Sequence, residues 1–234
     1  VESGDMLVGS DRIKIVSERD PEQLPWGDLS IDIVFECTGL FTDREAARKH
    51  VTAGAKRVLV AAPGKNMDAT VVYGINHRLL SGADVIVSNA SCTTNCLAPI
   101  AKVLDDTFGI STGYMTTIHS YTGDQPTLDT LHGDLYRARA AAMSMIPTST
   151  GAAKAVGEVL PKLKGRLDGC AIRVPTPNVS AVDLCFTLER LATVDDVNAA
   201  LIKAASGDLQ GILDASSTPL VSVDYNHNPH SSVV

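Results

Sequence analysis

Val85-Ile86-Val87-Ser88-Asn89-Ala90-Ser91-Cys92-Thr93-Thr94-Asn95-Cys96 decides how this chain is read. Three apolar residues form a strand, small polar residues turn the backbone, and an amphipathic helix follows, which is a unit of a parallel α/β sheet. The first N–H groups of that helix have no intrahelical acceptor and point into the turn. A thiol placed there is biased toward thiolate, the form that attacks carbonyl carbon. Cys92 is therefore the candidate covalent nucleophile. Cys37, Cys170 and Cys185 stand in strand-like apolar stretches, as small buried fillers do. Cys96 lies one helical turn beyond Cys92 and can face the same way.

Upstream, residues 31–35 make a short apolar run that suits a buried parallel strand, and residues 57–60 and 85–87 make two more. Between the first two, Thr42 and Glu45 have the spacing of a capping box. Arg48, Lys49 and His50 sit at the dipole-favoured end of the helix, and Gly54 is a natural terminator. Such alternation predicts a parallel sheet whose ligands lie at strand carboxyl ends, where Thr38, Gly39 and Cys92 all fall.

Downstream the pattern changes. A helix over residues 93–107 carries Leu97, Ile100, Val103 and Leu104, with Pro99 expected to bend it. Strand-like segments follow at 113–120, 170–174 and 179–188, and Thr193 can cap a helix running to Ala205. These predict an α+β second part with a mostly antiparallel sheet, so that residues 1–91 and 92–234 form separate domains. The chain opens at Val1 and stops inside a strand-forming region, which reads as a piece of something longer.

Bulk properties exclude several classes. A net charge of −7 with scattered lysines and arginines argues against nucleic acid. No apolar stretch approaches the ~20 residues that a membrane helix needs, and nothing resembles a signal peptide. Five cysteines, an odd number, suit reduced thiols in a cytoplasm better than a disulfide framework. No spacing of cysteine and histidine suggests a metal site.

Other residues carry chemistry. His119 ends a strand-like run and begins a polar turn, where an imidazole can take the proton of a nearby thiol and later donate to an oxyanion. The backbone N–H of Cys92 can supply the other half of an oxyanion hole. Ser149, Thr150 and Gly151 open a helix, either as a simple cap or as an anion cradle, with Arg137 and Arg139 as further cationic donors. Arg173 interrupts an apolar strand and needs an anion, which is either an internal carboxylate or a substrate phosphate. No two glycines are separated by a single residue, so the Gly-x-Gly-x-x-Gly dinucleotide loop is absent from these 234 residues.

SNASCTTNCLAP (88–99), TTIHSYTGDQ (116–125), IPTSTGAAKAV (146–156) and RVPTPNVSAVDL (173–184) occur in this order. Together they resemble the phosphorylating glyceraldehyde-3-phosphate dehydrogenases, and the likeness runs across nearly the whole chain. The resemblance implies part of a Rossmann-type NAD-binding domain followed by a catalytic domain that lacks its C-terminal end. It implies that Cys92 adds to the aldehyde of glyceraldehyde 3-phosphate with His119 as base. Oxidation by NAD then leaves a thioacyl enzyme, which inorganic phosphate attacks to release 1,3-bisphosphoglycerate. Thr122 and Arg173 would hold the substrate phosphate. Ser91, Thr150, Gly151 and Arg137 would hold the attacking phosphate, with Thr93 beside the thiol, and Thr38 and Gly39 would touch the cofactor. Residues 121–145 would form a loop that lines a neighbouring subunit's cofactor site in a homotetramer. Ala61 departs from the serine or threonine usual in the family and removes one hydroxyl from the cofactor side. The resemblance further implies a cytoplasmic enzyme of glycolysis, with NAD as the family default and NADP not excluded. An erythrose-4-phosphate dehydrogenase, or a non-catalytic thiol-sensing or binding protein, is the alternative reading. The chain on its own is expected to be inactive, because the cofactor pyrophosphate has no glycine loop to rest on.

Overall fold

The computed structural model describes residues 4–234, which divide into two compact units: residues through Thr70 with Leu80–Asn89, and Val71–Leu79 with Ala90–Val234. In the first unit, β1 (Asp5–Val8) and β2 (Asp11–Lys14) pair as an exposed antiparallel hairpin. Its main sheet holds β3 (Ile33–Glu36), β4 (Arg57–Val60), β5 (Ala69–Thr70) and β6 (Ile86–Ser88), all parallel, in the order β3-β4-β6-β5. Helix α1 (Arg44–Thr52) lies against it, and Ala47, Val58, Val60 and Ile86 close the core between them.

Two local expectations change. The N-cap of α1 is Asp43, whose carboxylate accepts the Glu45 N–H at 3.0 Å, whereas the Thr42 carbonyl accepts the Lys65 N–H at 2.9 Å. Thr42 stands one residue before the N-cap, so the Asp43 carboxylate is the oxygen that meets the open N–H of the first turn. The first parallel strand begins at Ile33, two residues later than its apolar run, and is buried on one face only: Val34 and Glu36 point in, while Ile33 and Phe35 are exposed. Gly54 ends α1 as expected, at φ +108°.

The second unit opens with α2 (Cys92–Phe108), which runs unbroken through Pro99. Its sheet comprises β7 (Ile110–Ser120), β8 (Ile146–Ser149), β9 (Leu167–Val174) and β10 (Ala181–Leu188), in the order β10-β7-β9-β8. The outer joins β10–β7 and β8–β9 are antiparallel, but the central pair β7–β9 is parallel. That pairing sets His119 opposite Arg173. Helix α3 (Ala152–Val159) joins α2 on one face, burying Leu97, Ala101, Leu104, Met115, Val156 and Leu167. Helix α4 (Val194–Ala205) starts at Thr193, which exchanges capping bonds with Asp196 as its sequence predicts. Short β11 (Leu213–Asp214) and β12 (Ser232–Val233) pair in parallel.

The register of β7 against β9 depends on one bare position. A Cβ on Gly169 would stand 2.4 Å from the Met115 carbonyl oxygen, a backbone atom that cannot yield without separating the two strands. Gly169→Ala is expected to destabilise the protein by about 1–3 kcal/mol, the usual range for an overpacked interior, read as a lower urea midpoint. An unchanged midpoint would show that the strand pair is looser than described.

Candidate active site

The turn from β6 into α2 is tightly made. Ala90 sits at φ +57°, a region costly for a residue with a Cβ, and is buried. Ser91 then caps α2: its hydroxyl accepts the Thr94 N–H at 3.0 Å and lies 2.7 Å from the Thr94 hydroxyl. Cys92 is consequently the first helical residue, with its side chain exposed at the helix N-terminus.

Cys92 Sγ lies 3.3 Å from His119 Nε2. On its other side the imidazole presents Nδ1 to the Ser120 carbonyl at 2.6 Å. A carbonyl only accepts, so Nδ1 carries a proton, and Nε2 is free to take the thiol proton. His119 is 7% exposed, so this orientation is held in place by packing. The hydrogen bond between Cys92 and His119 holds the thiol below its ordinary pKa against the opposing effect of burial. The charge of the ring and hydrogen bonds from Thr93 act in the same direction. Burial, with the charge of Cys92 added, pushes the Cys96 thiol up to about 11. One turn of helix thus separates an activated sulfur from an inert one.

The Ser120 carbonyl has a second donor, Arg173 Nη1 at 3.1 Å, and the same Nη1 reaches the Thr122 hydroxyl at 3.1 Å. Arg173 is therefore tied to the carbonyl that orients the imidazole. Among the described residues it forms no ion pair with a carboxylate, and its Nε is buried with no hydrogen-bond partner. Burial and then the charge of Arg137 depress its pKa, outweighing the favourable charges of Cys92 and Asp124. Of the two partners expected from sequence, an internal carboxylate makes no ion pair with Arg173 among the described residues.

Arg137 is held differently. Its Nη1 donates to Asp124 at 2.6 Å and its Nε to the Thr148 hydroxyl at 3.2 Å. Burial works against the Asp124 carboxylate, but the Arg137 hydrogen bond and charge hold its pKa below the usual range. Thr150 accepts the Ala152 N–H at 3.2 Å, and exposed Gly151 precedes α3 without a side-chain cap. The Thr94 hydroxyl reaches the Ala152 carbonyl at 3.5 Å, which sets the first turns of α2 and α3 side by side. Arg139 pairs instead with Asp129 at 2.9 Å on the surface.

Sequence reasoning overlooked the Ser120 carbonyl and Asp124. A backbone carbonyl has no sequence signature, while an acid two residues after Thr122 in a polar turn was a usable sign. Thr38 and Gly39 follow β3 in the first unit, both exposed, with Gly39 at φ +74° and open space where a Cβ would stand. A bare backbone turn at the carboxyl end of a parallel strand suits one side of a dinucleotide.

The thiol chemistry is testable directly. Iodoacetamide is expected to modify Cys92 before Cys96, with a rate midpoint below the ~8.5 of a free thiol, and His119→Asn is expected to move that midpoint upward. A midpoint indifferent to His119 would separate the two groups.

Two family models match this chain: the C-terminal domain of glyceraldehyde 3-phosphate dehydrogenase over residues 91–234, and the NAD binding domain of the same enzyme over residues 1–44. The chain is 63% identical to glyceraldehyde-3-phosphate dehydrogenase of Cereibacter sphaeroides and 58% identical to that of Geobacillus stearothermophilus, covering all of this chain and 70% of each relative. It is 62% identical to the Xanthobacter flavus enzyme, over 98% of this chain and 69% of the relative. The NAD binding match includes Thr38 and Gly39. The chain belongs to the glyceraldehyde 3-phosphate dehydrogenase family.

Proposed function

We propose that this chain carries the machinery for the phosphorylating oxidation of glyceraldehyde 3-phosphate to 1,3-bisphosphoglycerate. The observation that carries the reading is the 3.3 Å approach of His119 Nε2 to Cys92 Sγ, with the counter-ion-free Arg173 joined to the same Ser120 carbonyl. Cys92 adds to the aldehyde carbon while His119 takes the proton. The Cys92 N–H and His119 then face the developing oxyanion. Arg173 and Thr122 hold the phosphate of the substrate, which fixes the carbonyl over the sulfur. Thr38 and Gly39 would hold one side of NAD, which would supply the hydride acceptor for the oxidation of the Cys92 adduct to a thioester. Inorganic phosphate, held by Ser91, Thr150, Gly151 and Arg137 with Thr93 beside the thiol, attacks that thioester and conserves its energy as an acyl phosphate.

The assembly belongs to the same proposal. Leu128, Leu131, Leu135, Tyr136, Met143 and Met145 are all exposed within residues 121–145, and this apolar surface supports burial against a neighbouring subunit of a homotetramer. Five unpaired cysteines support a cytoplasmic location, and no helix of the described residues is long and apolar enough to cross a membrane. The NAD-binding part is proposed to end, and the catalytic part to begin, at residues 91 and 92.

One set of assays tests the proposal. Oxidation of glyceraldehyde 3-phosphate is expected to exceed that of erythrose 4-phosphate and to require phosphate for repeated turnover. Arg173→Leu is expected to raise KM for the aldehyde about 10- to 100-fold, the loss of one or two charged hydrogen bonds. The 234-residue chain alone, without a glycine loop for the pyrophosphate, is expected to show no NAD-dependent turnover. Preference for the four-carbon sugar, or an unchanged KM in the Arg173 variant, would contradict the substrate assignment.

A further inference from the structure

Glu36, the last residue of β3, is 2% exposed, and nothing in the chemistry above uses it. A carboxylate in that position needs donors on both oxygens. Its Oε1 accepts the Thr38 N–H at 2.7 Å and the Thr38 hydroxyl. Its Oε2 lies 2.9 Å from Nε2 of His50, a residue of α1 that is 4% exposed. On the far side of the ring, His50 Nδ1 lies 3.1 Å from Trp26 Nε1.

Hydrogen-bond polarity then has only one solution. An indole N–H donates and never accepts, so Nδ1 of His50 is the acceptor and Nε2 carries the proton. The chain runs from Trp26 to His50 to Glu36, and Thr38 closes it from the opposite end. Residues 38–41 are tied to it twice more. The Thr38 hydroxyl, already donating to Glu36, accepts the Leu40 N–H at 3.1 Å, and the Phe41 ring meets the His50 ring edge-on with centroids 6.0 Å apart. The Thr38 side chain is thereby engaged internally, which leaves the backbone of the turn, with Gly39 at φ +74°, as the surface offered to a ligand.

We propose that Trp26, His50 and Glu36 are positioning residues that set dinucleotide affinity from beneath the Thr38-Gly39 turn without touching the dinucleotide. The inference rests on the assignment of that turn to the cofactor under the proposed function. A rigid turn presents its backbone without an ordering penalty on binding, and a turn freed from Glu36 must be ordered by the ligand itself.

The experiment is equilibrium NAD binding by calorimetry to the holoenzyme that carries this chain, with folding of every variant read from thermal unfolding. In Glu36→Gln one carboxylate oxygen becomes an amide N–H, which faces either the His50 N–H or, if the amide flips, the Thr38 N–H, two donors that cannot bond in both cases. The dissociation constant for NAD is expected to rise about tenfold, the equivalent of one lost hydrogen bond, while KM for aldehyde and phosphate stays within about twofold. Adding Trp26→Phe removes the indole donor, so the His50 proton can move to Nδ1 and its bare Nε2 can accept from the new amide. Donor and acceptor alternate again, and the dissociation constant is expected to return to within about threefold of the parent. An unchanged constant in Glu36→Gln overturns the proposal, as does a double variant in which the two losses simply add. Should Glu36→Gln fail to fold, the double variant decides alone: binding near the parent supports the chain, and binding tenfold weaker overturns it. Gly39→Leu, which adds both bulk and backbone strain to the turn, tests separately whether the turn lies at the cofactor. If it binds NAD normally, the turn is not at the cofactor and the inference falls with that assignment. If it weakens binding while Glu36→Gln does not, only the anchoring chain is refuted.

Discussion

An imidazole that accepts a thiol's proton works as an activating device only if the ring cannot turn away, and the Ser120 carbonyl meets that requirement. It accepts from Nδ1 of His119 at 2.6 Å, which leaves Nε2 aimed at Cys92 Sγ at 3.3 Å. The rest of the second unit serves that alignment. The Ser91 cap fixes where α2 begins, α2 and α3 pack on the face of β7 that carries Met115, and β7 delivers His119 at its end. The thiol at the helix start gains from the helix dipole as well as from the ring.

The parallel pairing of β7 with β9 adds the second element. Because His119 stands opposite Arg173 in that register, one carbonyl orients the base and anchors the cation. Arg137, by contrast, already has Asp124 as a counter-ion. The two arginines therefore differ: Arg137 is paired with a carboxylate, whereas Arg173 is held by a carbonyl and a hydroxyl. Burial first, and then the charge of Arg137, depress the Arg173 pKa, and an anion beside Arg173 would offset both.

Much of this was legible in residue types and spacing. The strand-to-helix turn at Cys92, the histidine at a strand end and an arginine in an apolar strand each announce themselves, because each breaks a local rule that ordinary packing would keep. The Thr193 cap and Gly54 were equally readable, since their signals are local. What stayed hidden depends on partners distant in sequence. Asp43, one residue later than the sequence spacing suggests, caps α1 in place of Thr42, while Lys65 from a distant loop binds the Thr42 carbonyl. The parallel direction of β7 and β9 leaves no trace in either strand's pattern. Nothing local marks Glu36 for burial, because its partner His50 lies fourteen residues on.

The central claim is that Cys92 alone carries the covalent chemistry. The most direct measurement is mass spectrometry of peptides from the holoenzyme, quenched after mixing with glyceraldehyde 3-phosphate and NAD in phosphate-free buffer. The account predicts an acyl adduct on the peptide containing Cys92 that disappears when phosphate is added. An adduct on any other side chain, or activity that survives alkylation of Cys92, would contradict it.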